Sequence, residues 1–346
     1  MQTLSLTHGP VVFEGAVSLE VTPASVKPWR LRFEEIDLFE SALLPRAESP
    51  SGVRMTFMSD TDRVVVEAEA IEHWEQQWKW DLLVDGELHS RVVQSCRQGR
   101  VEFAPLSAGK GVSRGNLRRI EIYMPSQYLP VRVRSVEIDK SAKVESWKDV
   151  RPRWVVYGSS ITHAKEAAGP SETWPALVAR ELELHLTNLG YGGQEHLEPM
   201  VAEMIRDLPA DLISVCVGGN AWYPPTLNER TFRAAVIGLV RTIRQKHPRT
   251  PLVVCSFIST LHDGQANSQG KRPEDYRAYT REGVEVLQRY GDAFLYYVDG
   301  REIYGPSLRH LAADGVHPGA EGQHVLARNY IQLVMPRLIP PATTRV

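Results

Sequence analysis

Hydrophobic and polar residues alternate position by position over much of the first 140 residues. The clearest examples are Arg63–Ala70, Asn116–Met124 and Val131–Asp139. Successive side chains of a β-strand point to opposite faces, so this alternation predicts strands with one buried face. Asp85-Gly86 separates two short strand patterns within Leu82–His89, which predicts a tight hairpin turn. We therefore expect an antiparallel β-sandwich, of the jelly-roll type, over residues 1–140.

From about residue 152, short apolar runs alternate with helical segments. The runs are 154–158, 184–190, 211–219, 251–257 and 294–300. Apolar residues spaced three and four apart indicate helices at 174–182, 195–208, 229–246 and from about Pro318 onward. Continuous apolar strands that alternate with helices are typical of a parallel sheet with both faces covered. These residues therefore predict an α/β domain, built on a doubly wound five-stranded parallel sheet, over 152–346.

Between these two regions, residues 141–151 are polar and show neither pattern. We predict that they form a linker between the two domains. The length of 346 residues fits this organisation, because it exceeds what one ordinary domain needs.

Composition narrows the range of partners. With 42% hydrophobic residues, 24% charged residues and a net charge of −2, the chain has no basic excess that would favour nucleic acid or an anionic membrane. No apolar run approaches the roughly 20 residues needed to span a bilayer. The first residues lack the features of a signal peptide, so we expect a cytoplasmic protein with a small-molecule partner. The sequence leaves the oligomeric state open, and a homo-oligomer is compatible with it.

Motifs for metals and common cofactors are missing from the sequence. The three cysteines, Cys96, Cys216 and Cys255, have no CxxC spacing, which argues against a disulfide framework and a zinc site. Neither HExxH nor GxxxxGK[ST] occurs. The segment GYGGQE fails as a dinucleotide-binding motif because Glu195 stands where the third glycine would be required. We therefore expect no metal and no cofactor.

Candidate chemistry gathers at the ends of the predicted parallel strands, where open α/β sheets bind their ligands. Gly158-Ser159-Ser160 follows the first strand, and the glycine-rich segment Asn188–Gly193 follows the second. Gly218-Gly219-Asn220 follows the third strand, and Asp314–Gly322 precedes the last helix. All four segments are predicted to lie at one edge of the sheet.

These segments contain the groups that a serine-based acyl transfer requires. A serine hydroxyl attacks poorly unless a base takes its proton, and His317 is a candidate base that Asp314 could orient. His163 and His324 are weaker candidates, because His163 would point along its own helix and His324 lies inside the last helix. Backbone N–H groups near glycine and the amide of Asn220 could bind the oxyanion. A simpler alternative for Ser159-Ser160 is that both merely cap a helix.

The segments GSSIT, NLGYGG, GGN and DGVHPG, in this order, resemble the blocks of the SGNH hydrolases, also called the GDSL esterase/lipase family. The resemblance covers residues 152–336. It implies a flavodoxin-like fold and ester hydrolysis through an acyl-enzyme, without metal. The preceding β domain makes the chain similar to the two-domain carbohydrate acetyl esterases.

Position in these blocks assigns roles by resemblance. Ser160, and not Ser159, matches the nucleophile, and Asp314 and His317 match the rest of the triad. The resemblance implies an oxyanion hole formed by the N–H groups of Ser160 and Gly193 and the side chain of Asn220. Gly190 and Gly192 are alternative donors. The chain departs from the family at Ser159, where Asp is common, at Gly192, where Ser is common, and at His163, where a related subgroup has Thr.

Substrate contacts are harder to assign. Trp222 follows Asn220 closely, Trp174 begins a helix near the predicted site, and His163 lies one turn past Ser160, so we take these three as candidates. Within His73–Asp81, Trp78 and Trp80 share one face of a strand. They could form a platform for a sugar ring, although tryptophan pairs in sandwiches more often belong to the core.

Taken together, the favoured hypothesis is a serine esterase that removes a short acyl group, with acetyl the first choice. Its substrate would be a small hydroxylated compound such as a sugar or a glycosylated metabolite. Two alternatives remain at this stage: an acyltransferase that uses the same triad, and a carbohydrate-binding protein without catalytic activity.

Overall fold

A computed structural model describes residues 1–70, 77–108 and 116–339, and in it the chain divides into two compact units. The first comprises Met1–Ile36, Leu44–Arg151 and Gly169–Ser171. The second comprises Asp37–Leu43, Pro152–Ala168 and Glu172–Val346.

The first unit is built from antiparallel strands. In chain order they are β1 (Gln2–Leu4), β2 (Val12–Glu14), β3 (Ser18–Thr22), β4 (Ser25–Trp29), β5 (Arg54–Ser59), β6 (Val64–Ala70), β7 (Gln77–Val84), β8 (Glu87–Ser95), β9 (Arg100–Glu102), β10 (Arg118–Tyr123), β11 (Val131–Ile138) and β12 (Val144–Glu145). One sheet has the order β3-β4-β11-β6-β9, with β1 paired to β11. The other has the order β12-β5-β10-β7-β8, with β2 paired to β5. A short helix, α1 (Leu44–Ala47), precedes β5.

Side chains from both sheets form one hydrophobic cluster, so the predicted β-sandwich is confirmed. It includes Val66 and Val133 from one sheet and Phe57 and Leu82 from the other.

The predicted hairpin is present between β7 and β8. Asp85 (φ 52°) and Gly86 (φ 89°) both adopt the left-handed conformation that a tight hairpin turn needs. Trp78 and Trp80 are fully buried in the core and pack edge to face, with ring centroids 5.6 Å apart. A sugar platform on this pair is therefore wrong. Trp74, the third tryptophan of that stretch, lies outside the described residues.

The segment expected to form a linker, 141–151, contributes to the first unit. β12 pairs with β5, and the Asp149 carboxylate lies 3.6 Å from the guanidinium of the buried Arg54. A two-residue strand is too short to leave a periodic pattern in the sequence, which is why the polar composition suggested a linker.

The second unit contains a five-stranded parallel sheet, as predicted. Its strands are β13 (Arg153–Gly158), β14 (His185–Gly190), β15 (Leu212–Val217), β16 (Leu252–Ser256) and β17 (Leu295–Val298). They follow the order β14-β13-β15-β16-β17, which is the flavodoxin-like order. The strand order reverses its progression at β13, and ligands of such folds bind beyond the carboxyl ends of the strands at that point.

Helices connect these strands. They are α2 (Ser160–His163), α3 (Trp174–Glu181), α4 (Pro199–Asp207), α5 (Gly219–Trp222), α6 (Glu229–Arg244), α7 (Pro273–Arg289), α8 (Gly300–Ile303), α9 (Ala320–Leu333) and α10 (Met335–Leu338). The four predicted helices correspond to α3, α4, α6 and α9. In the described residues, no helix is both long enough and apolar enough to cross a membrane.

Two differences from the predicted helices have local causes. α4 begins at Pro199 rather than near 195, since proline is favoured in the first turn and Leu197 has φ of 56°, which a right-handed helix does not allow. α7 was not predicted, because its buried face includes Arg277, Thr280 and Gly283, which interrupt the apolar period.

Gly190 provides a test of how tightly α2 packs on the end of β14. A Cβ at this position would lie 2.2 Å from the backbone nitrogen of His163, and backbone cannot move aside cheaply. We predict that Gly190→Ala lowers the free energy of unfolding by about 1–3 kcal/mol. Gly238 is the matched control, since it lies inside α6 and a Cβ placed there would have no heavy atom within 4 Å. Gly238→Ala should raise stability by about 0.5–1 kcal/mol in the same urea titrations, and equal effects of the two variants would contradict the packing described.

Candidate active site

Two adjacent serines at the end of β13 have different surroundings. Ser159 has an extended backbone and caps α2, and its Oγ accepts a hydrogen bond of 3.3 Å from the N–H of Ile161. Ser160 is the first residue of α2, so its hydroxyl is not used in the cap. Gly158 permits this turn, because a Cβ there would lie 2.3 Å from Oγ1 of Thr162. Local geometry therefore leaves Ser160 as the serine available for chemistry.

The structure brings together Ser160, His317 and Asp314. Nε2 of His317 lies 2.9 Å from Oγ of Ser160, although 157 positions separate them in the sequence. Nδ1 of the same ring lies 2.6 Å from Oδ2 of Asp314. The three side chains form a continuous hydrogen-bonded chain at the carboxyl edge of the parallel sheet.

Asp314 is held in its ionised form. Partial burial acts to raise the pKa of its carboxyl, but hydrogen bonds from the backbone and ring of His317 and from the N–H of Val316 lower it to about 2. An ionised carboxylate can only accept, so Nδ1 of His317 donates to it. Nε2 is then the unprotonated nitrogen and can accept the proton of the Ser160 hydroxyl.

A tight turn fixes the histidine. Gly315 has φ of 75°, and its carbonyl accepts a hydrogen bond of 2.8 Å from the N–H of Leu261. A Cβ on Gly315 would lie 2.3 Å from a methyl carbon of Leu261. The turn between Asp314 and His317 is therefore attached to the segment that follows β16.

Three hydrogen-bond donors are candidates for binding an oxyanion, and two of them lie on the segments that follow β14 and β15. Gly193 is exposed and has φ of 73°. Oδ1 of Asn220 accepts a hydrogen bond of 3.2 Å from the N–H of Glu195, which leaves the Asn220 NH2 group for another partner. Within the described residues, neither the Ser160 N–H, the Gly193 N–H nor this NH2 group donates a hydrogen bond. These donors could bind negative charge that develops beside Ser160.

Of the two alternative glycine donors, Gly190 is already engaged, because its N–H donates to Oδ1 of Asn188 at 2.8 Å. The N–H of Gly193 donates no hydrogen bond within the part of the chain that the structure describes, which leaves it available as a donor.

The three residues predicted to contact substrate are buried in this structure. The indole N–H of Trp222 donates to the carbonyl of Lys271 at 3.0 Å. Trp174 donates from its indole to the carbonyl of Ile161 at 2.8 Å, and its ring packs 4.5 Å from that of Tyr330. His163 has Nδ1 3.0 Å from the carbonyl oxygen of Gly190. Trp174 and His163 are therefore hydrogen-bonded inside the second unit, which residue type and position along the chain could not reveal.

His324, the other histidine considered as a base, pairs with a carboxylate instead. Nε2 of His324 lies 3.3 Å from Oε1 of Glu172.

Glu195, by contrast, was not assigned to the site from the sequence. It is fully buried between the segments that carry Gly193 and Asn220.

Comparison with known protein families gives two matches to this chain. Residues 151–335 match the GDSL-like lipase/acylhydrolase family, and residues 11–130 match the SsfX3 N-terminal domain. The chain therefore belongs to the GDSL-like lipase/acylhydrolase family, whose members are enzymes that handle acyl groups.

Solved structures agree over nearly the whole chain. The salicylyl-acyltransferase SsfX3 from a tetracycline biosynthetic pathway is 31% identical, with a TM-score of 0.86 over 96% of each chain. A GDSL-like lipase from Bacteroides ovatus is 19% identical, with a TM-score of 0.77 over 95% of this chain and 96% of that one. A family two carbohydrate esterase from Clostridium thermocellum is 13% identical, with a TM-score of 0.67 over 95% of this chain and 99% of that one. A search of curated proteins found no match.

Covalent labelling distinguishes the two serines. We predict that a fluorophosphonate attaches to Ser160, because of the two adjacent serines it is Ser160 whose hydroxyl is hydrogen-bonded to His317, which can take its proton. Ser160→Ala should abolish labelling. Ser159→Ala should still be labelled, with a loss of about 1 kcal/mol of stability from the missing helix cap. Peptide mass spectrometry locates the adduct, and an adduct on Ser159 would contradict the assignment.

Proposed function

We propose that this protein is a serine esterase that cleaves a short acyl ester, acetyl in the first instance, through an acyl-enzyme. The observation that carries the proposal is the hydrogen-bonded chain from Asp314 through His317 to Ser160, with distances of 2.6 and 2.9 Å. Its substrate is a small hydroxylated compound such as a sugar or a glycosylated metabolite, and the reaction uses no metal or cofactor.

The reaction begins when Oγ of Ser160 attacks the ester carbonyl and Nε2 of His317 takes the hydroxyl proton. Asp314 stabilises the imidazolium that forms. The N–H groups of Ser160 and Gly193 and the NH2 group of Asn220 bind the oxyanion. Each such donor contributes about 3 kcal/mol to lowering the barrier in serine hydrolases.

Collapse of this intermediate breaks the ester bond. His317 gives its proton to the leaving alcohol, and the acyl group stays on Ser160. In the second half, His317 takes a proton from water and the resulting hydroxide attacks the acyl carbonyl. The bond between the acyl carbon and Oγ of Ser160 then breaks, His317 returns its proton to Oγ, and the free acid leaves. The same residues then return to their starting protonation states.

Acyl transfer is the second candidate function, and one observation favours it. The relative that is 31% identical over 96% of each chain is named as an acyltransferase. Transfer would use the same triad, with an acceptor hydroxyl or amine replacing water in the second half of the reaction.

Substrate contact is proposed for two exposed apolar side chains, on the segments that follow α5 and β16. Tyr223, three residues past Asn220, is 67% exposed and packs 5.7 Å from the ring of Trp222. Leu261, whose N–H bonds to Gly315 in the histidine turn, is 44% exposed. Trp222 thus supports the proposed contact surface from behind, and Tyr223 and Leu261 would touch the substrate. Exposed apolar surface beside a polar centre favours a substrate with a flat or apolar part.

Product analysis tests the reaction and separates the two candidates. Wild-type protein should turn over 4-nitrophenyl acetate, and Ser160→Ala should reduce kcat by at least about 10⁴-fold with an unchanged thermal unfolding curve. Sugars and alcohols added as competing acceptors should leave acetate as the main product. An acylated acceptor as the main product would make the protein an acyltransferase. Absence of both turnover and a serine adduct in folded protein would support a non-catalytic role.

The proposed substrate surface has its own test. Tyr223→Ala should lower kcat/KM for 2-naphthyl acetate by about tenfold, the loss expected for one aromatic contact, while leaving ethyl acetate nearly unaffected. Tyr290 is a matched control because it is 87% exposed and follows the end of α7. Equal losses for both esters, or the same loss in Tyr290→Ala, would remove Tyr223 from the substrate surface.

A further inference from the structure

Glu195 makes two hydrogen bonds to the segment that carries Asn220. Its Oε2 accepts a bond of 3.0 Å from the backbone N–H of Gly218. Its own backbone N–H donates the bond of 3.2 Å to Oδ1 of Asn220. Glu195 itself follows Gly193 by two positions. One residue therefore connects the two segments that supply the proposed oxyanion donors.

The side chain of Glu195 is in an unfavourable place for a carboxyl. It is 0% exposed, and Oε1 has no hydrogen-bond partner among the described residues. Burial raises the pKa of the carboxyl well above its ordinary range, the Gly218 N–H acts in the opposite direction, and Glu198 and Cys216 raise it further. Burying a polar group with one atom unbonded costs free energy, and an apolar side chain would fill this space at lower cost.

The bonds of Glu195 act on the direction of the Asn220 amide. Gly218 has φ of 111° and stands at the start of α5, which contains Asn220, so the side-chain bond fixes where this short helix begins. The backbone bond fixes which end of the amide faces Glu195. Turning the amide over would set its NH2 group against the N–H of Glu195, two donors facing each other. The NH2 group is thereby kept on the other side.

We propose that Glu195 is a positioning residue that holds the Asn220 amide in place as an oxyanion donor. The inference rests on the proposed function, because the donors matter only if Ser160 forms a tetrahedral intermediate. Glu195 acts through Asn220 and the Gly218 backbone and does not touch the reacting atoms.

A double-mutant cycle tests this role with 4-nitrophenyl acetate as substrate. Glu195→Ala should lower kcat by about 10–100-fold with little change in KM, because the loss falls on the transition state. In an Asn220→Ala background the same change should cost less than about 3-fold, since coupled residues are not additive. Equal fold losses in the two backgrounds would overturn the proposal.

Conservative variants separate positioning from packing. Glu195→Gln keeps an oxygen that can accept from the Gly218 N–H and should retain kcat within about 3-fold. Glu195→Met fills the space without an acceptor and should lose activity as Glu195→Ala does. It also replaces Glu195→Ala in the cycle if the alanine variant does not fold. Wild-type activity in folded Glu195→Met would overturn the proposal.

Glu198 is the control for removal of a partly buried acid from the same loop. Its Oε2 lies 3.4 Å from the hydroxyl of Tyr157, and burial raises the pKa of its carboxyl too, yet within the described part of the chain it makes no bond to Gly218 or Asn220. Glu198→Ala should combine additively with Asn220→Ala. The Ser160→Ala measurement keeps the two claims apart: full activity in that variant defeats the proposed function, whereas an additive Glu195 cycle with intact Ser160 dependence defeats this inference alone.

Discussion

The fold of the second unit has to bring Nε2 of His317 within hydrogen-bonding distance of Oγ of Ser160. The two residues are 157 positions apart, so their 2.9 Å contact exists only because β13 and the turn before α9 end at the same edge of the parallel sheet. The contact can activate Ser160 only if Nε2 accepts the hydrogen bond from the serine hydroxyl. Asp314 ensures this, because its ionised carboxylate takes the proton-bearing Nδ1 side of the ring.

The carboxyl edge of the parallel sheet also requires that neighbouring backbone segments approach each other closely. Gly158 and Gly190 each lie where a Cβ would collide with α2, and Gly315 lies where one would collide with Leu261. Gly193 and Gly218 take the left-handed conformation in the loops that carry the proposed oxyanion donors. The glycines therefore serve two separate purposes: close packing of α2 and the histidine turn, and the conformation of the donor loops.

Sequence periodicity was sufficient for the sheet of the second unit and for the β-sandwich, because both depend on which face of each strand is buried. The order of strands and loops along the chain was also sufficient to predict that Ser160, Asp314 and His317 lie at one edge of the sheet. Prediction from the sequence failed where the burial of a residue depends on neighbours that are distant along the chain. Trp174 and His163 have the right residue types for substrate contact, yet their polar atoms bond to α2 and β14. Glu195 gave no signal, since its partners Gly218 and Asn220 lie more than twenty positions away. α7 was missed for a different reason, because polar residues on its buried face interrupt the apolar period.

The most direct test of this mechanism is a crystal structure of the protein after reaction with a fluorophosphonate. We expect phosphorus bonded to Oγ of Ser160, with one phosphoryl oxygen about 3 Å from the N–H groups of Ser160 and Gly193 and from Nδ2 of Asn220. Nε2 of His317 should remain beside the modified serine. An adduct on another residue, or a phosphoryl oxygen directed away from all three donors, would contradict the mechanism.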